Sequence, residues 1–254
     1  MTYRPSLDNI LLMLKNDTYK LAKSYHKDFA IFSWTFEKIK LKNLPDGLDG
    51  YYDKNKKEIV MQKNKFDILE YCLSSGGTYN FNKLDNSCKE LYQYILKQLI
   101  HELIHAYRVE KGSWIDHHSE ELIAVAASTV IVYKKNDKHQ ILEFINSLTG
   151  NRYRESNIRS LFAEIQKLTR EYLECIKYDN NLNNCKKIKK QIETLNNIKL
   201  ATETAYIVGL KLGYHLIQEP YAIRKGVVRR LIETKQKEDL KYILGKYGID
   251  GIPI

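Results

Sequence analysis

The sequence is poor in the residues that break chains or lock them covalently. Proline and cysteine occur four times each in 254 residues. Cys72, Cys88, Cys175 and Cys185 form no C-x-x-C pair, so no zinc ribbon is built from them, and reduced thiols are expected. Long apolar runs are also missing. The longest, Leu122 to Tyr133, covers 12 residues and includes Ser128 and Thr129, well short of the ~20 needed to cross a bilayer. Near the start, Leu11 to Leu14 is interrupted at once by Lys15, Asn16 and Asp17, which is unlike a signal peptide. Together these absences lead us to expect an intracellular, cytoplasmic protein without a membrane span. Ser74-Ser75-Gly76-Gly77 is too short a loop to cradle a phosphate, and no internal repeat is visible.

What is present is ordinary for a globular protein, with 43% hydrophobic and 28% charged residues, enough to bury a sizeable core. The net charge is +10, and it is uneven: residues 151–254 hold 20 Lys and Arg against 12 Asp and Glu. A basic half suits nucleic acid or an acidic partner. Here, though, the cations are interleaved with acids and no aromatic-basic motif stands out, so solvated helix faces are the better account.

The informative stretch is His101-Glu102-Leu103-Ile104-His105, an H-E-x-x-H pattern. Residues four apart share one helix face, so both imidazoles can point at a single ion. Glu102 lies about 100° round the helix, beside the ion rather than on it, where a carboxylate can take a proton from activated water. Leu91, Ile95, Leu96, Leu99, Ile100, Leu103, Ile104 and Ala106 run on without Gly or Pro until Gly112, predicting a buried helix. Ser87 and Glu90 have the spacing of its capping box. A catalytic zinc takes three protein ligands and keeps one position open. The third should come from Asp116-His117-His118-Ser119-Glu120-Glu121, at the head of an apolar helix over 122–133. Glu121 is the first choice and His118 the alternative, with Glu120 and Asp116 behind them.

Elsewhere, residues 6–26 read as an amphipathic helix. Phe32, Trp34, Phe36 and Ile39 suggest a strand within 29–41. Pro45-Asp46-Gly47 marks a turn. Gly50 to Gln62 reads as a hairpin whose second strand begins at Glu58, and 66–72 as a short helix. Ile59, Val60 and Met61 are the expected substrate-binding edge, where an extended peptide would pair. From 136 onward the pattern is helical: 138–148, 156–177, 183–198, 201–218, 221–233 and 236–246, with Gly209-x-x-x-Gly213 suited to close helix packing. The expected division is 1–135 for a catalytic domain and 136–254 for a basic helical extension.

His101 to Tyr107, followed by Glu121-Leu122-Ile123-Ala124, resembles the zincin metallopeptidases, especially their compact gluzincin-like families. Gly47-Leu48-Asp49 and Glu58-Ile59-Val60 extend a similarity to the mitochondrial metallopeptidases that process an ATP synthase subunit. In those, however, an Asp stands where this protein has Arg108, and their cysteines are missing here. The clostridial neurotoxin light chains and the ImmA/IrrE peptidases share the plan. The Spartan/SprT proteases are a rival, with His118-Ser119-Glu120-Glu121-Leu122 resembling their third-ligand segment, although Ser119 replaces a Gly. The resemblance spans roughly residues 47–128. It implies an α+β zincin-like domain with a small mixed sheet and an active-site helix, plus the helical extension. It also implies a zinc-dependent endopeptidase that acts on a protein or peptide, with Zn2+ on His101, His105 and Glu121 and with Glu102 as general base. Tyr107, His117, Tyr214 and His215 are the candidates for oxyanion stabilisation. The alternative from another class is a binding module that keeps the fold but not the chemistry, its basic helices recognising nucleic acid or a protein.

Overall fold

The computed structural model describes residues 6–35, 38–45, 48–75, 85–149, 167–168, 170–171, 174–175 and 182–249. Helix α1 (Leu7–Tyr25) starts where the Ser6 hydroxyl accepts from the Asn9 N–H. It buries Ile10, Leu14, Thr18, Ala22 and Tyr25, a stripe repeating every three or four residues. The next element corrects the expected strand over 29–41. It is helix α2 (Lys27–Thr35), followed by a short strand β1 (Ile39–Lys42). Phe29, Ala30 and Ser33 are buried at helical spacing, and Phe29 and Phe32 set their rings edge-on to Tyr107. Packing on one side outweighs the strand preference of aromatic residues. Phe36 and Asp46-Gly47 of the expected turn lie outside the described residues.

Strands β2 (Gly50–Asp53) and β3 (Glu58–Gln62) form the expected hairpin. The sheet order is β1-β3-β2, with β1 parallel and β2 antiparallel to β3. This corrects the expectation for Ile59, Val60 and Met61. All of β3 is buried, and both of its edges are already paired, so it offers no edge to a peptide. Helix α3 (Lys63–Ser75) then leads to α4 (Asn86–Glu110). The N-cap of α4 is Asp85, whose carboxylate accepts from Cys88 N–H at 2.8 Å, rather than the expected Ser87. Gly112, at φ +62°, ends this helix. Its N–H bonds Val109 O, and Ser113 N–H reaches back to Arg108 O, the paired bonds of a glycine C-cap.

Helix α5 (His117–Val132) is apolar all round and buried from Ser119 onward, except for Glu121. It is the hub of the molecule, packed against α4, α1 and two later helices. The C-terminal half supplies α6 (Lys138–Thr149), α7 (Leu182–Gln218), α8 (Tyr221–Glu233) and α9 (Lys237–Lys246). The helices expected at 183–198 and 201–218 are one continuous helix, α7. The expected 156–177 helix lies mostly outside the described residues. One hydrophobic cluster runs from Ile10 to Leu244, so the boundary expected at 135/136 does not separate two cores. At coarse level the molecule is mostly helical with a small three-stranded mixed sheet.

The cysteines also depart from expectation. Cys72 bonds Cys88, and Cys175 bonds Cys185. Packing of α3 on α4 brings the first pair to a Cα separation of 5.8 Å, within disulfide reach. Sequence spacing alone does not reveal that approach.

Gly209 and Gly213 let α7 lie directly on α5. A methyl group at Gly209 would meet Leu122 O and Val125 Cβ at 2.8 Å, and one at Gly213 would meet Thr129 at 2.9 Å. Gly209→Ala is therefore expected to destabilise the fold by about 1–3 kcal/mol in urea unfolding. Gly226→Ala on α8, where no atom lies within 4 Å of the added carbon, should stabilise by about 0.5–1 kcal/mol. Equal effects at the two sites would refute the close approach.

Candidate functional site

The apolar faces of α4 press it into the core and turn one row of side chains toward the head of α5. His101 and His105 come from that row, and Glu121 comes from α5. Nε2 of His101 lies 3.0 Å from Nε2 of His105. The Glu121 carboxylate oxygens lie 3.3 Å from the first and 3.2 Å from the second. Three donor atoms held on bonds of about 2.0–2.1 Å around a tetrahedral ion are about 3.3 Å apart. The observed spacings match this, and the donor set, two imidazoles and a carboxylate, is one that zinc favours. Among the described residues this is the group that can hold a metal ion.

The structure thus brings together the first-choice residues and leaves out the others. His118 is not in the group, and His117 is exposed. Glu120, one residue before Glu121 but about 100° away on the helix, is fully buried and holds Arg108 through two bonds of 2.7 Å. Asp116 is the N-cap of α5, accepting from Ser119 N–H at 2.9 Å, and is paired with Lys237.

Electrostatics divides the roles. Burial pulls His101 down to about 4, against the pull of Glu121, so its imidazole is neutral and free to donate electrons. For His105, burial is again the largest single influence and pulls down, but the charge and hydrogen bond of Glu121 together with the charges of Glu102 and Glu120 outweigh it, and the pKa is raised. Burial would raise Glu121, yet the two histidines hold it well below the usual carboxylate range. Burial pushes Glu102 up to about 7, with the His105 charge and the Tyr52 N–H pulling the other way. A carboxylate tuned near neutrality is suited to accepting and returning a proton. Neither histidine Nδ1 has a hydrogen-bond partner among the described residues. The rings are held by packing instead: His101 lies 5.8 Å from the Tyr206 ring and His105 5.9 Å from Trp114, centroid to centroid.

Strand β2 forms the wall above Glu102. Gln62 N–H bonds Asp49 O. In the register Gly50↔Met61 and Tyr52↔Ile59, this makes 51–60 and 53–58 the hydrogen-bonded pairs. Gly50 and Tyr52 therefore turn their N–H and C=O groups outward, and the Tyr52 N–H bonds the Glu102 carboxylate. Gly50 permits this closeness, since a Cβ there would lie 2.9 Å from Met61 Sδ and 3.5 Å from Glu102 Cγ. The edge that faces the site is thus β2.

Among the described residues, Tyr107, Tyr214 and His215 make their ring contacts elsewhere than at the histidine pair. Tyr107 packs among His26, Phe29 and Phe32. Tyr214 meets His215 edge-on, and His215 lies tilted over Tyr247. The aromatic beside His101 is Tyr206 of α7, which sequence reasoning missed. It stands three residues before Gly209 and seven before Gly213, so the small-residue face that seats α7 on α5 also carries Tyr206. That spacing was the available signal.

A further buried group completes the site. Lys97 lies one turn before His101 on the same face and is 5% exposed. Burial lowers its amine to about 8, with Asp49 and Glu121 opposing. Asp49 itself is bonded by Lys65 Nζ and Tyr94 OH, and Lys65 sits 4.0 Å above the Tyr94 ring.

Comparison with protein-family models, curated proteins and solved structures returns no match. No helix among the described residues is long and apolar enough to cross a membrane.

Proposed function

We propose that the protein is a zinc-dependent endopeptidase of the zincin type. The observation that carries this reading is the convergence of His101, His105 and Glu121 at tetrahedral-edge spacing, with Glu102 beside them. The placing of the Glu102 carboxylate beside that group supports chemistry over a binding module, which needs no proton acceptor there. When bound, zinc supplies Lewis acidity, polarising a carbonyl and acidifying water. Glu102 accepts the proton of the attacking water and returns it to the leaving amine, its carboxylate oriented by the Tyr52 N–H. The outward groups of Gly50 and Tyr52 C=O receive the substrate backbone as an added strand. Tyr206 and Trp114 flank the histidines, and of the two Tyr206 carries a hydroxyl, a group of the kind that donates to an oxyanion.

The test is elemental analysis of protein purified without chelator. We expect one zinc per wild-type molecule. Glu121→Ala should bind zinc at least 10-fold more weakly, while His118→Ala keeps it. A wild-type protein free of zinc would sink the reading. Loss in His118→Ala with retention in Glu121→Ala would move the third ligand.

A further inference from the structure

We propose that Lys97 is a specificity-determining residue that receives a carboxylate of the peptide substrate beside the metal-ligand face. This rests on the endopeptidase reading above and adds the substrate class. The geometry comes first. Lys97, His101 and His105 occupy one helix face at intervals of four, so the Lys97 side chain lies along the same wall as the ligands. It is 95% withdrawn from solvent, and the charges around its amine act on it at a distance, with no ion pair to it formed among the described residues. A buried cation left in that state is costly.

The neighbouring acids offset only part of that cost. Both oxygens of Asp49 are taken by Lys65 and Tyr94. Glu121 is turned to the two histidines. Around Lys97 the charged groups are Asp49 before β2, Lys65 on α3, Glu121 on α5 and His101 on α4 itself. With Glu121 turned to the two histidines, two lysines face one aspartate, and the excess at this end of the site is positive. A carboxylate is the group a peptide brings that fits it. Four helical residues rise about 6 Å, and an extended peptide advances about 3.3 Å per residue. The carboxylate therefore belongs to a residue within about two positions of the scissile bond. Its two sources are the side group of an Asp or Glu and the free C terminus of the peptide.

The experiment uses two randomised peptide libraries, one with free and one with amidated C termini. Zinc-loaded wild type digests them, and cut sites are read by mass spectrometry. In parallel, zinc-loaded Glu102→Gln captures peptides from the same libraries, and the bound fraction is sequenced. We expect Asp and Glu enriched roughly 10- to 100-fold at one position near the cut, in both libraries. Lys97→Met should abolish that enrichment with zinc content unchanged. Asp49→Asn, which removes the competing acid, should increase it, so the proposal has an opposite-sign test even where Lys97→Met fails to fold. Enrichment confined to the free-terminus library supports the proposal with the C-terminal carboxylate as the ligand. Cleavage without acidic enrichment, or enrichment that survives Lys97→Met, overturns it and leaves the endopeptidase reading standing. Lys97-dependent capture of acidic peptides with no cleavage keeps the site and rejects the endopeptidase. Neither cleavage nor acidic capture rejects both.

Discussion

Glu102→Gln is expected to slow peptide hydrolysis by roughly 10²- to 10⁴-fold, measured on denatured casein or a quenched peptide library, with zinc stoichiometry unchanged. Glutamine keeps the shape of the side chain and can still accept the Tyr52 N–H that orients Glu102. It cannot take a proton, so the substitution isolates that one step. Metal retention separates it from Glu121→Ala, which acts through the ligand set. The two variants should therefore give the same loss of turnover by different routes: one with zinc bound, one without. Wild-type turnover in a zinc-loaded Glu102→Gln protein would remove Glu102 from the mechanism and leave its raised pKa as a consequence of burial alone. A large loss accompanied by loss of zinc would instead make Glu102 a structural support for the histidines.

The site was more legible in the sequence than the fold around it, for a physical reason. A helix fixes the geometry of residues four apart whatever surrounds it, so the approach of His101 to His105 follows from spacing alone. Glu121 was reachable because a buried carboxylate needs a partner. Its neighbour Glu120 has the same need and meets it with Arg108, a choice set by which way each side chain leaves the helix. The failures depend on tertiary contacts. Residues 27–35 are aromatic and strand-like in composition, yet α1 and α4 bury Phe29, Ala30 and Ser33 at helical spacing. Strand β3 reads as an edge until the parallel pairing of β1 with it is known. That pairing joins segments apart in sequence and has no local signature. The bonds of Cys72 with Cys88 and Cys175 with Cys185 likewise remove the reduced-thiol argument for a reducing compartment. Tyr206 lies about 100 residues from the His101 ring it meets, and the glycine face of α7 is what brings it there.

Arg108→Ala is expected to destabilise the protein by about 3–5 kcal/mol, read as the shift in a urea or thermal unfolding transition, because it strips the partner from a buried charge. Arg108 is the largest fully buried side chain, with no solvent exposure. Its Nε and Nη2 grip both oxygens of Glu120 at 2.7 Å. Its Nη1 donates to Leu231 O, Ile232 O and Thr234 O, and its Nη2 to Ser113 O. One guanidinium thus joins the end of α4, the head of α5 and the end of α8, and supplies donors to carbonyls that α8 cannot satisfy itself. Pairing by five planar donors is specific to arginine, so Arg108→Lys should recover only part of the loss. The double variant Arg108→Met with Glu120→Leu discriminates further. If the salt bridge alone mattered, apolar replacement of both partners would be near neutral. Here the carbonyls of Ser113, Leu231, Ile232 and Thr234 would lose their donor, and buried acceptors left without a partner are destabilising. The double variant should therefore stay well below wild type. The effect should also reach the metal: Glu120 and Glu121 share the first turns of α5, so loosening that end weakens zinc binding without touching a ligand. Full recovery by the double variant would show that Arg108 serves Glu120 alone and that the C-terminal helices hold the site by apolar packing only.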